Sequence, residues 1–323
     1  MQRREFIGLI GGSAAAWPFA ARAQQPRKNP RLGILLFNSP QIDPIGPLLQ
    51  GLQTLGYVDG KSIVIEYRYA EGEAKRLPGL ASELVQLKPD VIFAYGGDVA
   101  PHVKRATASI PIVAMVSNDP VQSGLVTSIS RPGGNVTGIT LIYDDLAGKM
   151  LELLKEVLPE ISRVAVLWNP DHADPEYRET QRVAAARGVQ LQSLPVRRPD
   201  DFDGAFKSAI DGRAEGLIVV STRLLLTQRR KIIEFTNSAR VPAVGSWGDW
   251  AKDGLLLAYG PNTDDAMRRI ATYVDKILKG TQPADLPIER PTRFELVINT
   301  RTAQTFGLKF PNLILARADK VIE

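Results

Sequence analysis

Short polar clusters mark the places where this chain could do chemistry. In the first half they are Asn38-Ser39, Tyr95-Gly96-Gly97-Asp98 and Ser117-Asn118-Asp119. In the second half they are Trp168-Asn169, Ser221-Thr222-Arg223 and Trp247, with Tyr143 and Tyr259 near the expected crossings between the two halves. Hydroxyls, amides and open helix N-termini bind a carboxylate through neutral dipoles. Aromatic faces sandwich a flat or apolar body, and Asp98 or Asp119 could hold an ammonium group. Together these types suit a small zwitterion or polar organic ligand. Each also has a plainer role. Asp98, Asp119, Ser221 and Thr222 are placed to cap the helices that follow them, and a single tryptophan more often packs into a core.

The common catalytic constellations are missing. The chain has 2 histidines, His102 and His172, and no cysteine, too few nitrogen and sulfur ligands for a zinc site. Gly245-Ser246-Trp247-Gly248 sets glycine directly before serine, so it is not a nucleophile elbow. The acid pairs Asp144-Asp145, Asp200-Asp201 and Asp264-Asp265 sit at expected helix starts, where negative charge is favoured anyway. Arg131–Gly138, RPGGNVTG, looks at first like a phosphate cradle. Such a cradle runs strand, turn, helix, whereas the order expected here is helix, turn, strand. No catalytic residue, metal or cofactor is therefore expected.

Composition narrows the partners. The chain is 44% hydrophobic and 23% charged, with a formal charge of +5, which is a globular balance. There is no basic run, and nucleic acid is not an expected partner. The N-terminus reads as an export signal: basic MQRRE, an apolar run broken by Pro18, then Ala21-Arg22-Ala23 as the cleavage pattern. Residues 1–23 are expected to be removed, leaving a charge of about +3 and a linker at 24–30. Arg3-Arg4-Glu5-Phe6-Ile7 further resembles a twin-arginine signal, and the expected destination is the periplasm.

The elements that must position the clusters alternate regularly. Short β-rich runs fall at 32–37, 63–67, 90–95, 110–116 and 136–141, then at 163–168, 189–194, 216–221, 241–244 and 255–259. Near-continuous Val, Ile and Leu in runs this short predict strands buried on both faces of parallel sheets. Helical patterns separate them, and Asp43-Pro44, Asp119-Pro120 and Asp174-Pro175 each predict an N-cap followed by a first-turn proline. A long helix at 144–159 divides the two series. The fold class is α/β, with two doubly wound parallel-sheet lobes facing across a cleft. Ligands bind beyond the carboxyl ends of such strands, which is where the polar clusters lie.

Several segments together carry a resemblance. LGYVDGKSIVIEYRYAEG (55–72), DPVQSGLVTSISRPGGNVTG (119–138), KMLELLKEVLP (149–159), YVDKILKGTQPADLPIERPTRFELVINTRTAQTFGL (273–308) and RADKVIE (317–323) resemble the TrpX-like ABC transporter substrate-binding family. That family is similar in fold to type 1 periplasmic binding proteins. The resemblance implies two α/β lobes joined by three crossovers, closing on a small solute. It further implies delivery to a membrane permease driven by a separate ATPase, with a lean toward aromatic amino acids. Lobe 1 is expected at 31–141 plus 261–280, and lobe 2 at 142–260 plus 281–323, with crossovers near 141–143, 259–261 and 280–283. The chain is expected to work as a monomer. A periplasmic sensor read by a membrane signalling protein stays open as an alternative, with an α/β hydrolase behind it.

Overall fold

The computed structural model describes residues 29–323 apart from 44, 143–145, 173–175 and 221. The expected leader, most of the linker, Tyr143, Ser221 and the Asp174-Pro175 pair lie outside the described residues.

The five strand runs of the first series form one all-parallel sheet. They are β1 (Arg31–Leu36), β2 (Val64–Tyr69), β3 (Val91–Tyr95), β4 (Ile112–Val116) and β5 (Val136–Thr140), in the order β2-β1-β3-β4-β5. Helices α1 (Gly46–Thr54), α2 (Leu77–Gln86) and α3 (Ala100–Ala106) connect them. Side chains alternate across the strand, so β1 feeds two cores. Leu32, Ile34 and Leu36 pack toward α1, while Leu35 packs toward α2 and α3.

The second sheet is larger and mixed. Its strands are β6 (Arg163–Trp168), β7 (Gln190–Pro195), β8 (Gly216–Val219), β9 (Ala243–Gly245), β10 (Leu257–Pro261), β11 (Phe294–Asn299) and β12 (Lys320–Ile322). They run β12-β11-β10-β9-β8-β6-β7, and β11 is antiparallel to β10. Helices α4 (Leu146–Val157), α5 (Glu176–Ala186), α6 (Phe202–Asp211), α7 (Arg223–Thr227), α8 (Arg229–Ala239) and α9 (Gly248–Asp253) lie between the earlier strands. After them come α10 (Thr263–Leu278), α11 (Thr300–Phe306) and α12 (Asn312–Arg317). The periodicity reading omitted β11 and β12, which follow the last alternating unit and so break its rhythm.

Helix α10 returns to the first sheet. The Asn262 side chain accepts a hydrogen bond from the Asp265 backbone N–H at 2.8 Å, and Asp264 and Asp265 complement the positive end of the dipole. Its apolar face, Ile270, Val274 and Ile277, joins α1 in the core under β1 and β3. The segment after it stays there too. Thr137 on β5 donates its hydroxyl to the Leu286 carbonyl at 2.7 Å, and the Thr140 backbone N–H donates to the Glu289 carbonyl at 2.9 Å. Residues 286–289 therefore lie along β5, not with the second sheet, and the third crossing comes after Glu289 instead of at 280–283.

Two local expectations also change. Residues 117–135, before β5, form turns and bends with no helix, so the first five residues of RPGGNVTG are irregular chain and the last three open β5. Helix α1 has Ile45 at its cap position, and Asp43 is buried instead of capping it. Among the described residues no helix is long and apolar enough to cross a membrane.

Candidate ligand-binding cleft

Strand ends from both lobes converge on one cleft of about 910 Å³. Phe37, Gly97, Asp98 and Asn118 line it from the first lobe, and Asn169, Asp171, His172, Arg197, Thr222 and Arg223 from the second. A smaller recess of about 50 Å³ adjoins it, lined by Tyr95, Gly96, Met115, Ser117, Leu141, Leu226 and Trp247 among others. The larger volume is that of a small-organic-molecule site.

Arg223 is the centre of the arrangement. Thr222, 1% exposed, caps α7 by accepting the Leu225 backbone N–H at 3.4 Å, so the helix starts with Arg223. The arginine side chain then crosses to the other lobe. Its Nη1 donates to Asp43 Oδ1 at 2.8 Å, its Nη2 donates to the Tyr95 carbonyl at 3.2 Å, and its Nε lies 3.4 Å from Asp98 Oδ2. The guanidinium carbon also sits 5.2 Å from the Phe37 ring centroid and 5.7 Å from that of Tyr95. Burial by itself would lower the guanidinium pKa, but Asp98 and Asp43 outweigh it and hold the pKa above its usual value. Arg223 is a fixed cation. Burial pushes the Tyr95 hydroxyl up to about 12 despite the opposing pull of Arg223.

Asp43 is held from its own lobe as well. Its carboxylate accepts the Asn38 backbone N–H at 2.8 Å and the Asn38 side-chain amide at 3.2 Å. Asp98 and Asn118 share a different support, the Gly96-Gly97 turn. Gly96 has φ +119°, open to glycine and strained for other residues, and a methyl there would strike the Asp98 carboxylate. A Cβ on Gly97 would come within 2.6 Å of Asn118 Oδ1.

The structure brings Tyr95, Gly96, Gly97, Asp98, Ser117, Asn118, Asn169, Thr222 and Trp247 to the cleft or its recess. Asp98 does not cap α3, whose cap position is Val99 with no side-chain bond; its carboxylate faces Arg223. Trp247 packs against core clusters of both lobes. Other expected residues do not line the cleft. Asn38 and Ser39 instead shape the loop around Asp43, with the Ser39 carbonyl accepting the Ile42 and Asp43 backbone N–H groups at 3.1 and 3.0 Å. Asp119 accepts the Val121 and Gln122 backbone N–H groups at 2.8 and 3.0 Å, which closes a turn. Trp168 stacks on Tyr177 at 4.0 Å and donates its indole N–H to Ser193, while Tyr259 stacks on Phe294 at 6.0 Å. Both tryptophan and tyrosine pack on the α4 side of the second sheet.

Sequence reasoning placed Arg223 at a strand end but gave it no role of its own, took Asp43 for a helix cap and left His172 out of the site. One signal for Arg223 was available. A cation in the first turn runs against the helix dipole, so it implies a partner outside the helix. Among the described residues no group of three or more His, Cys, Asp or Glu side chains could hold a metal ion.

Comparison with known proteins gives this geometry its context. A tyrosine-binding protein of Clostridioides difficile (strain R20291) is 25% identical over 287 residues, covering 88% of this chain and 82% of that one. A conserved domain protein of Vibrio cholerae has the same architecture at TM-score 0.84 and 27% identity, covering 91% of this chain and all of that one. An ABC domain from Streptococcus pneumonia, in complex with L-Trp, also superposes at TM-score 0.84, with 23% identity, 91% of this chain and 100% of that one covered. Type 1 periplasmic binding architecture accounts for all of these likenesses. Residues 42–322 match the pattern of the ABC transporter substrate binding proteins. The chain belongs to that family, whose members bind a solute and are not enzymes.

Proposed function

We propose that this chain is the periplasmic solute receptor of an ABC importer and that its solute is an aromatic amino acid. The observation that carries the reading is the inter-lobe cleft with Arg223 spanning it, lined by Phe37 and, in the adjoining recess, by Tyr95 and Trp247. A flat ring fits between such faces, and a charged head group fits the polar strand ends. The names of the relatives support the class: one binds tyrosine, and one is seen with L-Trp. Contacts drawn from both lobes stabilise the closed arrangement over the open one, which is how a solute shifts the population. The closed form then docks on a permease driven by a separate ATPase, after export by the signal expected at 1–23.

Isothermal titration of the mature chain tests the reading. L-tryptophan, L-tyrosine or L-phenylalanine should bind with micromolar or tighter affinity, well above alanine or glutamate. No heat from any of the three would overturn the aromatic assignment.

A further inference from the structure

We infer that Arg223 is an internal competitor for the solute: its guanidinium closes the neck between the cleft and the aromatic recess, and a solute binds by displacing it. This inference rests on the proposed reading of the cleft as the solute site. It adds that the protein's own side chain holds its apparent affinity down.

Gly97, Asp98, His172 and Arg223 line both the cleft and the recess, and so mark the neck between them. Beyond the neck the recess is walled by Tyr95, Met115, Leu141, Leu226 and Trp247, with a volume of about 50 Å³. An apolar cavity of about 150 Å³ takes benzene, whereas a water needs only about 10–15 Å³. The recess therefore has room for water and not for an aromatic ring. A ring reaches the faces of Tyr95 and Trp247 only when the neck widens.

Arg223 is what holds the neck narrow. Its guanidinium carbon lies 5.2 Å from the Phe37 ring centroid and 5.7 Å from that of Tyr95, against the faces on which a flat solute would stack. Asp43 at 2.8 Å, the Tyr95 carbonyl at 3.2 Å and Asp98 at 3.4 Å tie the cation from the first lobe. Asp43 is committed to this task. Its side chain is 5% exposed, and its carboxylate takes two donors from Asn38 besides the arginine. Because Arg223 belongs to the second lobe, the contacts that shut the neck also draw the lobes together.

Two arrangements thus compete. In one the guanidinium fills the slot; in the other the solute's ring does, and Arg223 has left Asp43. When only a fraction of the molecules is competent to bind, apparent affinity falls by that fraction. The factor is set before the solute makes any contact of its own, so it is the same for every solute that needs the recess. A residue that touched the solute directly would show the opposite sign on removal.

Calorimetric titration of the full mature chain with L-tryptophan, L-tyrosine and L-phenylalanine separates competitor from contact. Arg223→Ala should tighten all three by a similar factor, at least about fivefold. Asp43→Asn keeps the arginine but loosens its tie, and it should tighten them as well. The two substitutions shift the charge of the cleft in opposite directions, so tightening by both reports release of the neck and not attraction of a charged solute. Weaker or unchanged binding by either variant overturns the inference.

Should Asp43→Asn fail to fold, methylguanidinium takes its place as the probe. It should refill the slot of Arg223→Ala and, at about twice its own dissociation constant, weaken that variant's solute binding about threefold relative to equal potassium chloride. Wild type should not respond, and equal effects on both proteins overturn the inference. Silence from all three amino acids, in wild type and variants alike, overturns the aromatic reading instead. The slot is then decided by thermal shift: methylguanidinium that stabilises Arg223→Ala and not wild type upholds it, and any other result overturns it.

Discussion

Arg223 and Asp43 stand 180 residues apart in the chain and join the two lobes across the cleft at 2.8 Å. Removing one partner of a buried pair leaves the other charge uncompensated, unless water can reach it. Lobe opening lets water reach Asp43. Arg223→Ala should therefore favour the open form, by about 1–3 kcal/mol, more than it unfolds either lobe. Small-angle scattering of the ligand-free variant should show a larger radius of gyration with a melting temperature close to wild type. An unchanged radius would mean that the pair does not bias closure.

The two strand-end tryptophans should behave differently. Trp247 lines the recess and touches core clusters of both lobes, whereas Trp168 is engaged with Tyr177 and Ser193. Trp247→Ala should weaken solute binding about tenfold or more, consistent with loss of an aromatic contact. Trp168→Phe should leave affinity within twofold or so, because its partners lie outside the cleft. Calorimetric titration of both variants separates the roles, and equal losses would remove the distinction.

Alkaline stability follows from buried tyrosines. Burial is the leading cause that pushes Tyr57, Tyr67 and Tyr95 up to about 12 from 10.0. Hydroxyls whose folded pKa is raised contribute stability that is complete below the unfolded pKa and is lost as pH rises through the folded one. Stability should hold up to about pH 10 and fall between about 10 and 12. Denaturant midpoints measured across that range, together with tyrosinate absorption, check the sign. A rise in midpoint over the same interval would contradict it.

Helix α10 should be indispensable to the first lobe. Ile270 is fully buried between α1 and the sheet. Ile270→Ala leaves a cavity and should cost about 2–5 kcal/mol. Chemical denaturation should show the loss mainly in the transition of the first lobe. A second-lobe transition that moves equally would show that the lobes unfold as one unit.

The strands were legible where burial on both faces wrote them into composition. VIFAY at 91–95 and IVAMV at 112–116 are almost wholly apolar and became β3 and β4. FELVIN at 294–299 is similar in kind, but it runs antiparallel after a return to the other lobe, and no local period encodes that topology. The site divides the same way. Polar strand ends such as Asp98, Asn118 and Thr222 were readable because the fold class says where ligands bind. The Arg223–Asp43 pair was not, since its partners meet only after both lobes have formed. Trp168 and Asp119 misled because a strand end offers two sides, and local packing or turn closure took theirs.

The return of α10 to the first sheet has a consequence for the order in which the chain can be made. On a ribosome the N-terminal segment emerges first, and domains generally fold as they emerge. Here β1 to β5 appear early, yet Ile270 and Val274, both fully buried in their core, come after nearly the whole second lobe. The edge of β5 waits longer still, for Glu289. Until then the nascent sheet carries a bare apolar face, so the lobe that is synthesised first is finished late.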